Sequence, residues 1–515
     1  MYYTYILRCR GGILYTGITT DPARRLREHR GQGGKGAKFT RSHGALGFAA
    51  LWESETRQAA SRLEWHIKQL SRPQKLRLIA APGNLERFLP VEPSEYTPIF
   101  DEFGGNTMNL AKINDIFAQT AYVRTGGSPQ ELRCAEYLKD QCAALGLTAK
   151  LEGFQVDMAA IQEAVLLADG KEIPCKGYLC AGSGEVEAPL YYLTGSDRHS
   201  LAQCKGKIVM IDGYLGYWRY QDLLENGAVG FLTYDGNANY ADHDMDQREL
   251  RSYVSQGKKI PGVNLNAKDA IELIRDDVQT VRIVLKQEEC KGQSHNVVLE
   301  LPGQVEETIA FTAHYDSTSL SQGAYDNMSG CAGLLHMAEY FAAHPHRYSL
   351  RFIWCGSEER GLLGSKAWVA AHPEEVKQTV LNINLDMIGC IMGKFIACCT
   401  TEEALTHYIR YFGQELGFGI EVKQDVYSSD STPFADAGVP AVSFARIAPN
   451  NTATIHNSYD TAAVMKAEHM LKDMDFILEF AKRMANAHHC PVAREMPDNM
   501  KEKLDIYLCR KRDKK

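Results

Sequence analysis

Short apolar runs that end in charged residues recur through the second half of the chain. Residues 308–316 read TIAFTAHYD, an apolar run typical of a buried strand that delivers His314 and Asp316 at its end. Three similar runs follow, and each leads to further polar residues. They are residues 350–355 before Glu358 and Glu359, residues 380–385 before Asp386, and residues 439–445 before the loop with His456. Because reactive groups in open α/β sheets gather at the carboxyl ends of strands, we expect one cleft.

Asp326 joins this set, because it lies just before a segment of helical period at residues 331–341. Two imidazoles and three carboxylates suit zinc, and one carboxylate is able to bridge two ions about 3.5–4 Å apart. A further carboxylate beside a ligand, such as Glu358, can take a proton from a water and pass it to a leaving amine. A lone His-x-Asp or Glu-Glu is usually an ordinary surface or core pair. The prediction of a metal site therefore depends on all of these residues occurring together, each at the end of its own strand.

The motifs in this region resemble those of a known group of enzymes. AHYDS, AYDNMSGCAGLL, GSEERGLLGS, NLDMIG, SDSTPFADAGVPAVSF and IHNSYDT are similar to the co-catalytic zinc aminopeptidases and glutamate carboxypeptidases of metallopeptidase clan MH, over about residues 107–490. The resemblance implies two zinc ions and a peptide substrate. It implies that His314 and Asp386 hold one zinc, that Glu359 and His456 hold the other, that Asp326 bridges, that Glu358 is the general base, and that Asp316 orients His314.

Two positions depart from the pattern of some aminopeptidases in this group. Ser429 stands where an Arg would help to bind the end group of the substrate, and Ile455 stands where a Tyr would support the oxyanion. Hydrolysis is therefore better supported than a preference for the amino or the carboxyl end. We expect an aminopeptidase, and the peptide substrate stays open.

The first 80 residues have a different pattern. Residues 2–9 alternate as a strand, Gly11 and Gly12 make a turn, residues 13–18 return as a second strand, and Asp21-Pro22 begins a basic helix. Residues 1–90 hold 16 Lys/Arg against 6 Asp/Glu, whereas the remainder holds 41 against 58. This asymmetry indicates a basic module that meets an anionic partner, for which DNA or RNA is the natural candidate.

YIL at residues 5–7, YTG at residues 15–17, Arg25 and LEWHIK at residues 63–68 resemble the GIY-YIG nuclease domain in its small stand-alone form. The resemblance implies that Tyr5 and Tyr15 act on the attacking water, that Arg25 steadies phosphate charge, and that Glu64 holds Mg²⁺. A late Asn of some members has no match after Glu64. Cutting of nucleic acid and binding without cutting therefore both stay open.

These patterns predict an α/β protein in several parts. We expect a small mixed α/β GIY-YIG-like domain, a linker, an α/β zinc-peptidase domain with a central mixed sheet flanked by helices, a β-rich insertion and a charged tail. The insertion contains GKIVMIDG and ENGAVGFLTYD, which resemble the protease-associated domain. The predicted bounds are residues 1–84, linker 85–106, peptidase 107–160 and 291–490, insertion 161–290, and tail 491–515.

Composition narrows the class of protein. The 515 residues are 44% hydrophobic, without an apolar run near 18 residues or a signal-peptide pattern, and the 14 cysteines are scattered. We therefore expect a cytoplasmic protein with no membrane contact. Residues 31–36 (GQGGKG) lack the Gly-Lys-Ser/Thr ending of a phosphate loop and are expected to form a basic loop. The oligomeric state, a mainly nucleolytic role with an auxiliary peptidase, and a metal-free binding role stay open.

Overall fold

The computed structural model describes residues 1–9, 14–29, 45–80, 85–99, 108–237, 245–450 and 452–513. The chain forms two compact units, Met1–Asn109 and Leu110–Lys515. The predicted turn at Gly11 and Gly12 and the predicted basic loop at residues 31–36 lie outside the described residues.

The first unit is built on a four-stranded antiparallel sheet in the order β2-β1-β3-β4. Its strands are β1 (Tyr2–Cys9), β2 (Leu14–Thr19), β3 (Ala45–Ser54) and β4 (Thr97–Pro98). Its helices are α1 (Pro22–His29), α2 (Arg57–Gln69) and α3 (Arg72–Ala80). The Asp21 side chain accepts a hydrogen bond of 2.9 Å from the Arg24 N–H, which explains why α1 begins there.

Residues 85–99 were expected to form a linker, and this expectation is wrong for that part of the chain. Leu85, Leu89 and Tyr96 are buried in the core of the first unit, and β4 pairs with β3. Short 3₁₀ turns form at Leu85–Arg87 and Pro93–Glu95, so Pro93 begins a turn, and Pro98 lies in β4. Apolar side chains without helical or strand periodicity can still be buried in a core, and only tertiary contacts reveal this burial.

The second unit is built on a 14-stranded sheet. Its strands are β5 (Lys150–Ala168), β6 (Lys171–Ile173), β7 (Lys176–Gly177), β8 (Gly184–Leu193), β9 (Ile208–Ile211), β10 (Gly230–Asp235), β11 (Gly262–Asn266), β12 (Thr280–Leu301), β13 (Val305–His314), β14 (Tyr348–Cys355), β15 (Thr379–Leu385), β16 (Lys394–Thr400), β17 (Glu421–Gln424) and β18 (Ala441–Ile447). The order is β17-β16-β18-β15-β13-β14-β12-β8-β9-β10-β11-β7, and β5 pairs with β12 and β6.

The helices of the second unit cover this sheet. They are α4 (Leu110–Gln119), α5 (Pro129–Ala144), α6 (Arg198–Ala202), α7 (Tyr217–Glu225), α8 (Ser252–Ser255), α9 (Ala267–Arg275), α10 (Ser329–Ala343), α11 (Leu363–Ala371), α12 (Pro373–Gln378), α13 (Glu403–Leu416), α14 (Ser431–Asp436), α15 (Ala467–Ala485) and α16 (Asp498–Tyr507). Ser128 caps α5 by accepting a hydrogen bond of 3.1 Å from the Glu131 N–H, as its sequence predicts.

Four neighbouring strands position the predicted ligands. β14, β13, β15 and β18 lie side by side and are parallel, so their carboxyl ends share one edge of the sheet. These strands are almost wholly buried, which explains why the sequence shows continuous apolar runs rather than alternation. The four apolar runs of the sequence are therefore strands, as predicted.

The insertion differs from its prediction in two ways. β8, β9, β10 and β11 form a parallel sheet accompanied by the helices α6 to α9, so the segment is mixed α/β rather than β-rich. The predicted bounds at residues 160 and 291 fall inside β5 and β12, which pair with each other along nearly their whole length. β12 pairs with β8 at its start and with β14 at its end, so one strand belongs to both parts of the sheet.

The predicted charged tail also folds. Met496, Met500 and Leu504 are buried against Ala435 and Ala441, and α16 carries two of them on one face. The high charge of the segment obscured this apolar face, and a helix of 10 residues has fewer than three turns in which a period can appear. Among the described residues, no helix is both long and apolar enough to cross a bilayer.

Candidate metal centre and nuclease-like site

The predicted ligands of the second unit form two adjoining groups. One group consists of His314, Asp326 and Asp386, and the other consists of Asp326, Glu359 and His456, with the ligand atoms of each group within 4.8 Å of one another. His314 ends β13, Asp386 follows β15, and Glu359 follows β14. Asp326 belongs to both groups, so it lies between them.

The two oxygens of Asp326 face different histidines. Its Oδ1 is 3.1 Å from Nε2 of His314, and its Oδ2 is 3.3 Å from Nε2 of His456. Nε2 of His314 is also 3.7 Å from Oδ1 of Asp386, and Nε2 of His456 is 3.1 Å from Oε2 of Glu359. A carboxylate whose two oxygens face two different ligand groups has the arrangement of a bridging ligand.

The geometry fits a pair of cations. Ligands about 2.1 Å from one zinc ion lie roughly 3–4 Å from each other, which is the spacing of these atoms. Oδ1 of Asp386 and Oε1 of Glu359 are buried and have no hydrogen-bond partner among the described residues. Burial alone would lower the pKa of His314, but Glu358, Asp316 and the other carboxylates outweigh it and raise that pKa well above its usual value. The cluster therefore attracts positive charge, and nitrogen and oxygen donors of this kind suit zinc.

Glu358 lies beside both groups without belonging to either. Its Oε2 is 3.9 Å from Nε2 of His314. Burial raises the pKa of Glu358 well above its usual value, with the neighbouring carboxylates adding to the shift. A carboxyl group with a raised pKa is suited to accept and return a proton near neutral pH.

Asp316 holds the turn that carries both glutamates. Its two oxygens accept hydrogen bonds from the backbone N–H groups of Glu358 and Glu359, at 2.9 and 3.2 Å. Its Oδ1 is also 3.4 Å from Nδ1 of His314. Asp316 is fully buried, and its contacts connect the end of β13 to the turn after β14.

Sequence reasoning missed two buried carboxylates that support the cluster. Asp460 accepts hydrogen bonds from the backbone N–H groups of Tyr325 (2.7 Å) and Asp326 (3.2 Å), and burial raises its pKa to about 6. Glu131 of α5 accepts hydrogen bonds from Gly127, Ser294 and Ser357. Asp460 stands four residues after His456 in the quoted motif, which was the available signal, whereas nothing in the sequence links Glu131 to this site.

Backbone conformation also contributes to the placement of the ligands. Ser357, Leu362, Met387 and His456 have positive φ values, between 53° and 65°, although none of them is glycine. Left-handed backbone at non-glycine residues concentrates where surrounding structure fixes a functional loop. Asn327, the residue after Asp326, holds the loop that contains Met387, because its side chain donates to the carbonyl oxygen of Leu385 (2.9 Å) and accepts from the Met387 N–H (3.1 Å).

The two departures from the family pattern lie in different surroundings. Ser429 is buried and accepts a hydrogen bond of 3.1 Å from the Asn384 side chain. Ile455 lines the cleft next to His456. Tyr427 also lines the cleft, and its buried hydroxyl has no hydrogen-bond partner among the described residues.

The cluster opens into a cleft of about 1470 Å³. The insertion contributes Arg248, Arg251 and Tyr253 to its wall, and α16 contributes Tyr507. The segment predicted to be a tail therefore forms part of the wall.

In the first unit, the predicted catalytic residues gather around one hydroxyl group. The Tyr5 hydroxyl is 2.9 Å from Nε2 of His29 and accepts a hydrogen bond of 3.2 Å from Nε of Arg25. The Tyr15 ring centroid lies 6.4 Å from that of Tyr5 and 5.2 Å from that of His29. Burial raises the pKa of Tyr5 to about 12 and lowers the pKa of His29 to about 4, so an uncharged pair is favoured.

Glu64 and Gly17 are the other two motif residues near the Tyr5 hydroxyl. Glu64 lies on α2, forms an ion pair of 2.7 Å with Lys68, and is close enough for its charge to contribute to the raised pKa of Tyr5. Gly17 pairs across the strands with Tyr5, and a Cβ atom there would lie 2.5 Å from the Tyr5 hydroxyl. The sequence placed His29 on a basic helix only, whereas the structure adds it to the site.

Comparison with known proteins identifies both units. The sequence model of peptidase family M28 matches residues 296–481, and that of the GIY-YIG catalytic domain matches residues 1–77. Aminopeptidase YwaD of Bacillus subtilis (strain 168) is 28% identical over 339 residues, which cover 62% of this chain and 71% of that protein. A UPF0213 protein of Serratia proteamaculans (strain 568) is 48% identical over 90 residues, which cover 17% of this chain and 86% of that protein.

The fold of the larger part has solved counterparts. The structure of BSAP, a zinc aminopeptidase from Bacillus subtilis, superimposes with a TM-score of 0.63 at 23% identity, covering 75% of this chain and 97% of that one. The aminopeptidase from Aneurinibacillus sp. strain AM-1 gives 0.61 at 22% identity, covering 75% and 96%. The α/β fold class and the two resemblances inferred from the motifs are thereby confirmed. The likeness of residues 161–290 to a protease-associated domain stays a prediction.

Proposed function

We propose that the main activity of this chain is that of an aminopeptidase with two zinc ions, because the model of peptidase family M28 matches residues 296–481, beside a GIY-YIG catalytic domain match at residues 1–77. The observation that carries the proposal is the position of Asp326, whose two oxygens each face one histidine and one half of the carboxylate cluster. The names of its relatives, aminopeptidase YwaD and the zinc aminopeptidase BSAP, support cleavage from the amino end.

In this proposal each residue of the cluster has one role. His314 and Asp386 hold one zinc, Glu359 and His456 hold the other, and Asp326 is shared by both. Zinc, when bound, would supply a water of lowered pKa, toward about 7, and would polarise the scissile carbonyl. Glu358 is placed to accept the proton of the attacking water and to return it to the leaving amine, which its buried position beside the ligands and its raised pKa support.

Asp316 acts through its neighbours. Its hydrogen bonds to the backbone of Glu358 and Glu359 fix the turn that carries the base and one ligand. Its closeness to Nδ1 of His314 favours the tautomer in which Nε2 is free to coordinate. We also propose a cytoplasmic location, since the 13 cysteines whose side chains the structure describes are free.

The test is an assay of aminoacyl and N-blocked reporter substrates with and without chelator. We expect hydrolysis of free aminoacyl substrates, loss of activity with chelator and recovery with zinc. Glu358→Gln should retain two zinc ions by elemental analysis and lose at least a hundredfold in kcat. Glu374→Gln, an exposed glutamate paired with Lys377, is the matched control and should behave as wild type. Chelator-insensitive cleavage, or full activity of Glu358→Gln, would contradict the proposal.

A second function is favoured by the contacts of Tyr5. Its hydroxyl lies between Arg25 and His29, as a neutral hydroxyl that orients an attacking water would require. We propose that the first unit cuts DNA or RNA, with Glu64 holding Mg²⁺. A single carboxylate leaves a hard, water-rich site, which suits that ion.

Nicking assays with Mg²⁺ test this second function. Cleavage should fall by at least a hundredfold in Tyr5→Phe and in Glu64→Ala, while binding measured by electrophoretic shift persists. Glu86→Ala, an exposed glutamate of the same unit, is the control. Binding that weakens with salt but never leads to a cut would favour a nucleic-acid-binding role instead.

A further inference from the structure

Two basic residues of the cleft wall have no ion-pair partner within the described part of the chain. Arg251, from the insertion, and Lys366, from α11, both line the cleft that contains Glu358. Among the described residues, no carboxylate oxygen lies within 4.0 Å of either side-chain cation, whereas Arg248 pairs with Asp235 at 3.3 Å and Arg360 pairs with Glu249 at 2.7 Å in the same wall. Basic side chains that are partly removed from water normally have an anionic partner.

The two cations are held by neutral groups. Arg251 donates through Nη2 to the carbonyl oxygen of Glu359, and its guanidinium lies 5.2 Å from the ring centroid of Tyr214. Lys366 donates to the carbonyl oxygen of Gly361 at 2.9 Å, and its Nζ lies 5.3 Å from the ring centroid of Tyr253. These contacts orient the two cations, and neither cation forms an ion pair with a described carboxylate.

The turn after β14 brings the two cations to one place. A Cβ atom at Gly361 would lie 3.6 Å from Cδ of Arg251 and 3.2 Å from Cε1 of Tyr253, so the turn packs against both side chains. Lys366 reaches the same turn through the Gly361 carbonyl oxygen. Burial, together with the charge of Arg251, lowers the pKa of Lys366, and an anion bound between them would offset both effects.

This pair of cations lies beside the general base of the proposed mechanism. Glu358 begins the turn that Arg251 and Lys366 contact, and it hands its proton to the amine that leaves. A carboxylate held by this pair would belong to the part of the substrate near that amine. Arg binds carboxylates through two parallel hydrogen bonds, and Lys adds a compact charge.

We propose that Arg251 and Lys366 form a subsite for a carboxylate of the peptide substrate, so that the cleft selects acidic or short peptides. This inference rests on the proposed aminopeptidase function and specifies its substrate class. The carboxylate has two chemical sources, the carboxyl terminus of a dipeptide and the side chain of an Asp or Glu residue after the cleaved bond.

Paired substrates distinguish these sources. Leu-Gly against Leu-Gly-amide tests the terminal carboxylate, and Leu-Glu-amide against Leu-Gln-amide tests the side-chain carboxylate. We expect kcat/KM to favour the carboxylate member of at least one pair by tenfold or more, and the pair that shows the preference identifies the source. The ratio within each pair cancels any change in folding or zinc content.

The Arg251→Gln/Lys366→Gln double variant should bring the preferred ratio close to 1. Arg275→Gln, an exposed arginine of the same insertion, is the matched control and should keep the wild-type ratio. Hydrolysis of both members of each pair at equal efficiency by the wild type, or a preference that the double variant keeps, would overturn the subsite. A wild type that hydrolyses neither these peptides nor leucine p-nitroanilide would overturn the proposed aminopeptidase function, and the subsite with it.

Discussion

Glu131 accepts hydrogen bonds from both the backbone N–H and the hydroxyl of Ser357, at 2.8 and 3.1 Å. Ser357 has a left-handed backbone and directly precedes Glu358, so a carboxylate on α5 fixes the turn that carries the proposed base. Glu131 is almost fully buried, and that burial, with the nearby charge of Asp316, raises its pKa to about 7.

Glu131 should make stability depend on pH. Its pKa is higher in the folded state than the value of about 4.3 expected in the unfolded chain. The folded state therefore binds the proton more tightly, and stability falls as pH rises from about 4.3 to about 7. Glu131→Gln should flatten this decline, by roughly 1–3 kcal/mol across the window, in urea unfolding at pH 4.5 and pH 7.5. Glu136→Gln, an exposed glutamate on the same helix, should keep the wild-type slope, and an unchanged slope in Glu131→Gln would refute the assignment.

Asp460 should matter for metal affinity rather than for chemistry. Asp460→Asn replaces an accepting oxygen with an amide N–H group, which cannot accept the backbone N–H of Asp326. We expect zinc affinity, measured by competition with a chromophoric chelator, to fall by about 10- to 100-fold. Asp276→Asn on the exposed surface is the control. Affinity equal to wild type in Asp460→Asn would show that Asp326 is positioned without this contact.

Tyr427 provides a hydroxyl group in the cleft, whereas the apolar side chain of Ile455 cannot donate a hydrogen bond. Tyr427→Phe keeps the ring and removes only the oxygen, so packing should persist. If the hydroxyl donates to the developing oxyanion, kcat should fall by about 10- to 1000-fold with little change in KM. Tyr411→Phe, on an exposed tyrosine, should have no effect. A Tyr427→Phe enzyme with wild-type kcat would exclude this role.

The helix α16 should contribute to the stability of the second unit. Leu504 is buried against Ala435 and Ala441, so Leu504→Ala leaves a cavity and should cost about 2–5 kcal/mol of unfolding free energy. Lys501→Ala, on the exposed side of the same helix, should cost less than about 0.5 kcal/mol. Denaturant unfolding of the two variants measures the difference. Equal stabilities would mean that α16 is not firmly docked.

The sequence predicted those parts of the fold and of the site whose residues form a local pattern along the chain. The buried parallel strands appear as continuous apolar runs, and the ligands follow them directly, so the spatial grouping of His314, Asp386 and Glu359 follows from one rule of α/β sheets. In the first unit, the sequence predicted the two strands, but the register that brings Gly17 opposite Tyr5 became evident only in the structure.

Residues that act across the fold could not be found in this way. Glu131 lies 226 positions from Ser357, and no periodicity connects them. Arg251 enters the cleft from the insertion, in a segment that the sequence described only by its turns and strands. Residues 85–99 and α16 look like linker and tail because charge and proline dominate them, and their few apolar side chains reveal their role only when packed.

The strand β12 has a mechanical consequence for the whole second unit. The insertion and the catalytic sheet share this one continuous strand, and β5 runs alongside it over 18 paired residues with a register shift between Lys286 and Gln287, so any motion between the two parts would have to bend this ribbon. The insertion is therefore joined to the catalytic sheet by a continuous two-stranded ribbon rather than by a flexible loop. The wall that carries Arg251 is thus tied by backbone hydrogen bonds to the strands that carry the predicted ligands.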